Sequence, residues 1–171
     1  IIIRDNDIRN IQGNGIFIRE GHRSVTVSEN EIRNVGLDAS GSRSGMPHHG
    51  IYCQGEDFKI SGNLFDGVVN SGGHGISLRS WGLVSQNTVG NVRKSGIGYY
   101  PDHPGAGGEL IISGNSVSTG SGNGIRLSDN GREDWYVRAI RVENNILSTA
   151  DAAVIVIEDF PASLTIELAG N

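Results

Sequence analysis

Apolar and polar residues alternate along this chain in a short motif, apolar-x-apolar-x-x-Asn-x-apolar, that recurs from one end to the other. The segments that carry it, the last three less completely, are residues 1–8, 25–32, 58–65, 110–117, 84–89, 140–147 and 166–171. Its asparagines are separated by 24, 33, 24, 28, 30 and 26 residues in chain order. A repeat of this period predicts stacked structural units.

A second element, Gly-Ile-x-apolar, lies between successive asparagines of the motif. It begins at Gly15, Gly50, Gly75, Gly96 and Gly124, and residues 153–156 take its place in the last complete copy. Both elements alternate with period two, as strands do, and neither is long enough to bury its apolar side alone. We therefore expect coils stacked so that two columns point inward. These columns are Ile16, Ile51, Ile76, Ile97, Ile125, Val154 and Ile18, Cys53, Leu78, Tyr99, Leu127, Val156.

The recurring asparagine has its own physical reason. Asn tolerates the unusual backbone angles of a bend, and its amide both donates and accepts hydrogen bonds. In a column of asparagines, each amide can therefore donate a hydrogen bond to the amide of the next coil and accept one from the coil before. The pattern predicts an all-β solenoid of about six to seven rungs with an Asn ladder, forming a single domain over residues 1–171. The sequence begins and ends inside a repeat, so a longer parent chain is one of the alternatives for this domain.

Composition narrows the function classes. The 26 Gly and 15 Asn are hard to place in a helical bundle, because Gly and Asn both disfavour helix interiors. A net charge of −5 argues against bulk electrostatic capture of nucleic acid or of an anionic membrane. No apolar stretch is long enough to cross a bilayer. Cys53 is the only cysteine, so no disulfide forms within the chain.

The repeats resemble those of the right-handed, pectate-lyase-like superfamily of parallel β-helices, which includes polysaccharide lyases, alginate C5-epimerases and phage tailspikes. The resemblance covers nearly the whole chain and implies a right-handed, single-stranded parallel β-helix. Residues 99–104 (YYPDHP) have the residue types of the epimerases' Tyr-x-x-Asp-Pro-His signature in a different order. Residues 49–51 (HGI) are similar to their His-Gly-Ile repeat. The resemblance implies a protein that acts on carbohydrate.

Insertions in a solenoid mark its functional side. Three of them, residues 36–49, 100–109 and 128–138, border the Gly-Ile strand. The outward positions of that strand are predicted to be Phe17, Tyr52, Ser77, Gly98, Arg126 and Ile155. The small residues Ser77 and Gly98 predict a shallow trough between Tyr52 and Arg126. Arg79 and Tyr100 should edge this trough, and His49 and His74 should be stacked neighbours just before the strand.

Such a trough suits an acidic polysaccharide, with aromatic rings for the sugars and Arg for the carboxylates. Lyase or epimerase chemistry needs a cation beside the carboxylate, a base for the carbon-bound proton and an acid to complete the transfer. Arg79 or Arg126 supplies the cation, His103, His49 or His74 the base, and Tyr100 or Tyr52 the acid, with Asp102 beside His103. Structural roles remain open for these residues. The histidines could hydrogen-bond backbone, and turn chemistry could account for Asp102 and His103.

Two further groups of side chains carry alternatives. The acidic residues Asp129, Glu133, Asp134, Glu158 and Asp159 could bind Ca²⁺, supply the carboxylates of a glycosidase, or form a solvated loop. Trp81 and Trp135 follow the Gly-Ile strand and could stack on sugar or cap the loops. No other cofactor and no metal ligand set is predicted.

Two functions from different classes follow. The first is an enzyme acting on an acidic polysaccharide, a lyase or a C5-epimerase. The second is a glycan-binding or structural segment such as a spike, adhesin or spacer. Because open solenoid ends leave strand edges unpaired, we expect a cap, a homo-oligomer or a longer parent chain to cover them. The expected location is extracellular, periplasmic or on a virion surface, and neither nucleic acid nor membrane is an expected partner.

Overall fold

A computed structural model of the chain describes residues 1–37, 47–68, 72–102, 107–129 and 137–171. Every regular element in this part of the chain is a β-strand. In chain order the strands are β1 (Ile2–Arg4), β2 (Asp7–Ile11), β3 (Ile16–Ile18), β4 (Thr26–Ser28), β5 (Glu31–Val35), β6 (Ile51–Cys53), β7 (Phe58–Ser61), β8 (Leu64–Val68), β9 (Ile76–Leu78), β10 (Gly82–Ser85), β11 (Thr88–Val92), β12 (Ser95–Tyr99), β13 (Glu109–Ser113), β14 (Ser116–Thr119), β15 (Asn123–Ser128), β16 (Ala139–Glu143), β17 (Ile146–Thr149), β18 (Ile155–Glu158) and β19 (Thr165–Ala169).

The strands form three parallel sheets, each made of every third strand. Sheet A has seven strands in the order β1-β4-β7-β10-β13-β16-β19. Sheet B has six, β2-β5-β8-β11-β14-β17, and sheet C has six, β3-β6-β9-β12-β15-β18. Three strands thus make one coil, and the coils stack into a parallel β-solenoid. The prediction of an all-β parallel solenoid is confirmed, although it has about five turns rather than six to seven.

The Asn ladder runs along the turn between sheets A and B and is confirmed. Asn30, Asn63, Asn87, Asn115 and Asn145 are all buried. Each Nδ2 donates to Oδ1 of the next asparagine, for example Asn63 to Asn87 at 2.9 Å, and each backbone N–H donates to the same oxygen. Asn87 also donates to the carbonyls of Ile60 and Ser85. Both polar atoms of the side-chain amide in each buried rung therefore have partners, which burial requires.

The glycine of the second element is needed where sheet B turns into sheet C. A Cβ on Gly50 would lie 2.5 Å from the carbonyl oxygen of Gly75 and 2.6 Å from the Phe65 ring. A Cβ on Gly75 would likewise meet Val89 at 2.5 Å and the oxygen of Gly96 at 2.6 Å. The backbone of each coil packs directly on the next here, so a side chain has no room.

The inward columns follow the prediction through five coils and then depart from it by one residue. Ile51, Ile76, Ile97 and Ile125 are fully buried, and Tyr99 is a core residue at 0% exposure. In the last coil Ile125 pairs with Ile155 rather than with Val154, and Val154 is 47% exposed. Val154 therefore occupies the glycine column. It fits there because no further coil packs against it within the described residues.

Candidate functional site

Ring-bearing side chains form a continuous row on the outer side of sheet C, which we call the sheet C face. Phe17 and Tyr52 stack nearly parallel, with ring centroids 5.1 Å apart. His49 lies 5.2 Å from Tyr52 and 5.2 Å from His74, and the two histidine rings are 20° from parallel. The row ends at Tyr100, 5.2 Å from His74. The predicted stacking of His49 on His74 is confirmed.

Arg79 is clamped within this row. Its guanidinium carbon lies 4.8 Å from the centroid of the Tyr52 ring and 5.2 Å from that of the Tyr100 ring. Nε donates to Asp102 at 3.0 Å, and Nη1 donates to the Ser77 hydroxyl and the Leu78 carbonyl. The side chain is only 11% exposed. Two cation–π contacts and an ion pair therefore hold the guanidinium in one orientation.

The predicted trough over Ser77 and Gly98 is closed. Ser77 is fully buried beneath the guanidinium of Arg79. A Cβ on Gly98 would lie 2.8 Å from Cε2 of Tyr100 and 3.0 Å from Nδ1 of His74, so these rings lean over the glycine. Small residues on a sheet make a trough only if larger neighbours do not fill the space. The sheet C face is thus a ridge of ring edges and not an open groove.

The two histidines are held as neutral groups. His49 Nδ1 accepts a hydrogen bond from the His74 backbone N–H at 3.0 Å, and Asn14 Oδ1 accepts one from the His49 N–H at 2.7 Å. Burial, and then the nearby Arg79 cation, lowers the pKa of His49 to about 3. Burial, and then His49, likewise holds the pKa of His74 well below its ordinary value. Nδ1 of His74 is buried and accepts no hydrogen bond from the described residues.

Tyr100 is the candidate acid, and it lies between His74 and Arg79. Burial raises the pKa of its hydroxyl, against the opposing effects of Arg126 and Arg79. The structure therefore brings five of the six predicted catalytic residues into one cluster, namely Tyr100, Asp102, Arg79, His49 and His74. The sixth, His103, lies outside the described residues.

Arg126 and Glu158 form the far end of the face. Arg126 donates from Nε at 3.0 Å and from Nη2 at 2.6 Å, both to the same oxygen of Glu158. The pair is open to solvent, with the two side chains 29% and 35% exposed. Sequence reasoning placed Glu158 in an acidic group and missed its contact with Arg126. Local alternation carries no signal for this contact, because it depends on the strand register, in which Ser128 pairs with Glu158 and Arg126 with Val156.

The remaining predicted site residues lie elsewhere. Trp81 packs at the turn from sheet C to sheet A, where a Cβ on Gly108 would lie 1.9 Å from its ring, and it contacts the hydrophobic core. Trp135, Glu133 and Asp134 lie outside the described residues. Within the described ranges, no three His, Cys, Asp or Glu side chains group closely enough to hold a metal ion.

A shallow groove on the outer side of sheet A was not anticipated. It has a volume of about 430 Å³. Its polar lining includes Lys59, Ser61, Ser85, Gln86, Ser113 and Glu143. The signal in the sequence was the serine that follows the second apolar position of the motif in several coils.

The part of the chain that the structure describes contains no helix with the length and hydropathy of a membrane span. Three comparisons, with protein-family models, with curated proteins and with solved structures, found no match to the chain.

Proposed function

We propose that the sheet C face binds an acidic polysaccharide whose chain runs along the axis of the solenoid. The observation that carries this proposal is the row of rings spaced 5.1–5.2 Å from Phe17 to Tyr100. The spacing between coils is roughly 4.8 Å, which is close to the length of one pyranose residue. A polymer along the axis would therefore advance by about one sugar per coil, from the exposed ring of Phe17 past Tyr52 and Tyr100 toward Arg126.

The chemistry of the ridge suits an oxygen-rich ligand. Because Phe17 and Tyr52 stack face to face, they turn their ring edges outward, and ring edges carry partial positive charge. Gln54 donates to the Tyr52 hydroxyl at 3.1 Å and adds an amide to the same rim. Arg126 supplies a solvent-accessible guanidinium, whose fork matches a carboxylate. The resemblance of the repeats to the pectate-lyase-like superfamily supports the same ligand class.

The test is a binding titration with oligogalacturonate and oligoalginate. Phe17 is 49% exposed, so Phe17→Ala should fold normally yet bind roughly tenfold more weakly. Leu64→Ala is the matched control, since Leu64 is 37% exposed on sheet B and should leave affinity unchanged. If the unmodified protein binds no acidic oligosaccharide, the proposal fails.

Cleavage or epimerisation is the second candidate, favoured by the contact of Tyr100 with both His74 and Arg79. Because Arg79 is held by its own partners, in a lyase the more exposed Arg126 would neutralise the uronate carboxylate, and one of the candidate histidines would take the proton from the adjacent carbon. The bond from the next carbon to the glycosidic oxygen would then break, and Tyr100 would give its proton to that oxygen. In an epimerase the glycosidic bond would stay intact, and Tyr100 would give a proton to the opposite face of the same carbon.

Product analysis on the same oligosaccharides separates the activities. A lyase yields an unsaturated uronate that absorbs in the ultraviolet, and a C5-epimerase changes the uronate NMR spectrum without shortening the chain. New reducing ends without unsaturation would indicate a hydrolase. Binding without any product would identify a glycan-binding segment such as a spike or adhesin.

A further inference from the structure

The two arginines of the sheet C face differ in how firmly their partners hold them. Arg79 is 11% exposed, lies between two tyrosine rings and is fixed by Asp102, Ser77 and the Leu78 carbonyl. Arg126 is 29% exposed, and among the described residues the hydrogen bonds of its side chain go to one oxygen of one carboxylate, Glu158. An ion pair this open to water is weak, because solvent screens it. Only Arg126 can change partners at little cost.

Resting on the function proposed above, we infer that Glu158 is a built-in competitor for the ligand carboxylate. It occupies the Nε and Nη2 edge of Arg126, the same edge that a bidentate carboxylate would use. An acidic sugar reaching Arg126 displaces Glu158, and one carboxylate replaces another on the guanidinium. Glu158 therefore determines specificity for acidic ligands, because a ligand carboxylate must bind Arg126 more strongly than Glu158 does in order to displace it.

The position of Glu158 in the fold supports this role. It ends β18, at the edge of sheet C, and it is 35% exposed, so it can turn to solvent when displaced. Its partner Arg126 lies one coil beyond Gly98, next to the end of the row at Tyr100. Arg126 and Glu158 both influence the pKa of Tyr100, in opposite directions, so the pair is electrostatically part of the face.

Glu158→Gln is the test, since it removes the charge and keeps the shape. The variant should bind oligogalacturonate or oligoalginate about threefold to tenfold more tightly than the unmodified protein. Its affinity for a neutral oligomer, in which the carboxyl groups have been reduced to hydroxymethyl groups, should not change. Glu158→Ala should also raise the affinity. It is included because the amide oxygen of the introduced glutamine could still accept hydrogen bonds from Arg126, whereas alanine has no such acceptor.

Glu109→Gln is the matched control. Glu109 pairs with Arg141 on sheet A at 2.9 Å, with exposures of 29% and 38%, so this variant makes the same change in net charge at a similar ion pair. It should leave the affinity unchanged. Thermal unfolding of all variants checks that each is folded.

Each outcome decides a different question. An equal gain for Glu158→Gln and Glu109→Gln would show an effect of net charge and overturn the inference. An unchanged or weakened affinity for both Glu158→Gln and Glu158→Ala would also overturn it, even though the proposed function would still stand. Absence of binding by every form would remove the proposed function and the inference together. A rise in affinity for acidic oligomers that is seen in the Glu158 variants and not in Glu109→Gln would support the inference.

Discussion

Individual side chains on the sheet C face owe their properties to neighbours far away in sequence. His49 and His74 are both flanked by glycine and look alike in the sequence. In the structure, Nδ1 of His49 accepts a backbone hydrogen bond, whereas Nδ1 of His74 lies against Gly98. The backbone-bonding role considered for both histidines thus fits His49. His74 keeps an acceptor nitrogen that a catalytic role would need.

The buried histidines should make stability depend on pH. The pKa of His49 is lowered to about 3 in the folded state and returns toward 6.5 on unfolding. Between these values the unfolded chain binds a proton that the folded chain does not, so stability rises with pH across this window. Acidification from pH 7 to 5 should therefore cost up to about 1.4 kcal/mol per pH unit for each such histidine.

Urea unfolding at several pH values measures this effect. His49→Asn should flatten the dependence, because an asparagine at the equivalent position, Asn14, already accepts the same kind of backbone hydrogen bond. The exposed His22 provides the control, and His22→Asn should leave the slope as it is. A slope that is identical in the unmodified protein and in His49→Asn would contradict the assignment.

At the scale of elements, two columns of residues define the corners of each coil. The Asn ladder supplies the hydrogen bonds of the turn between sheets A and B. The glycine column allows the backbones of successive coils to approach closely at the turn between sheets B and C. Both columns are visible in the sequence because every coil repeats the same local requirement. Their recurrence made the strands and their order predictable before any contact was known.

One rung of the ladder should contribute a large share of stability. Asn87→Ala removes the acceptor of two Asn63 donors and the donor to Asn115, and it leaves several buried polar groups unsatisfied. We expect a loss of roughly 3 kcal/mol or more in the free energy of unfolding. Chemical denaturation followed by circular dichroism measures it.

Asn91 offers a comparison outside the ladder. It is exposed, has φ of 53° and makes one side-chain hydrogen bond, to Asp66. Asn91→Gly preserves the backbone conformation and should change stability by about 0.5 kcal/mol or less. Equal losses in Asn87→Ala and Asn91→Gly would show that the ladder has no special role.

For the whole molecule, the solenoid buries its core by stacking, so its first and last coils are covered on one side only. Inward residues of the last coil show this, since Leu168 is 48% exposed and Ile157 42%, whereas Ile125 is fully buried. Strands β1, β2 and β3 lie at one edge of the three sheets, and β17, β18 and β19 lie at the other. Such edges favour pairing with further strands.

The coverage of these edges stays a prediction, with a cap, a homo-oligomer or a longer parent chain as the alternatives, and sedimentation tests the homo-oligomer. Sedimentation of the 171-residue polypeptide should show association that grows with concentration. Leu168→Lys should reduce it, whereas Leu64→Lys on the side of sheet B should not. A single monomeric species at all concentrations would refute the homo-oligomer.

The sequence by itself determined the coil, its strands, the Asn ladder and the buried columns. Each of these follows from local alternation and from one residue type repeated at every turn. Only the tertiary structure decided that the trough is closed, that Arg79 is clamped while Arg126 is exchangeable, and that Glu158 contacts Arg126. These features depend on side chains 21–32 residues apart that fill one another's space, and on a one-residue change of register that local alternation does not reveal.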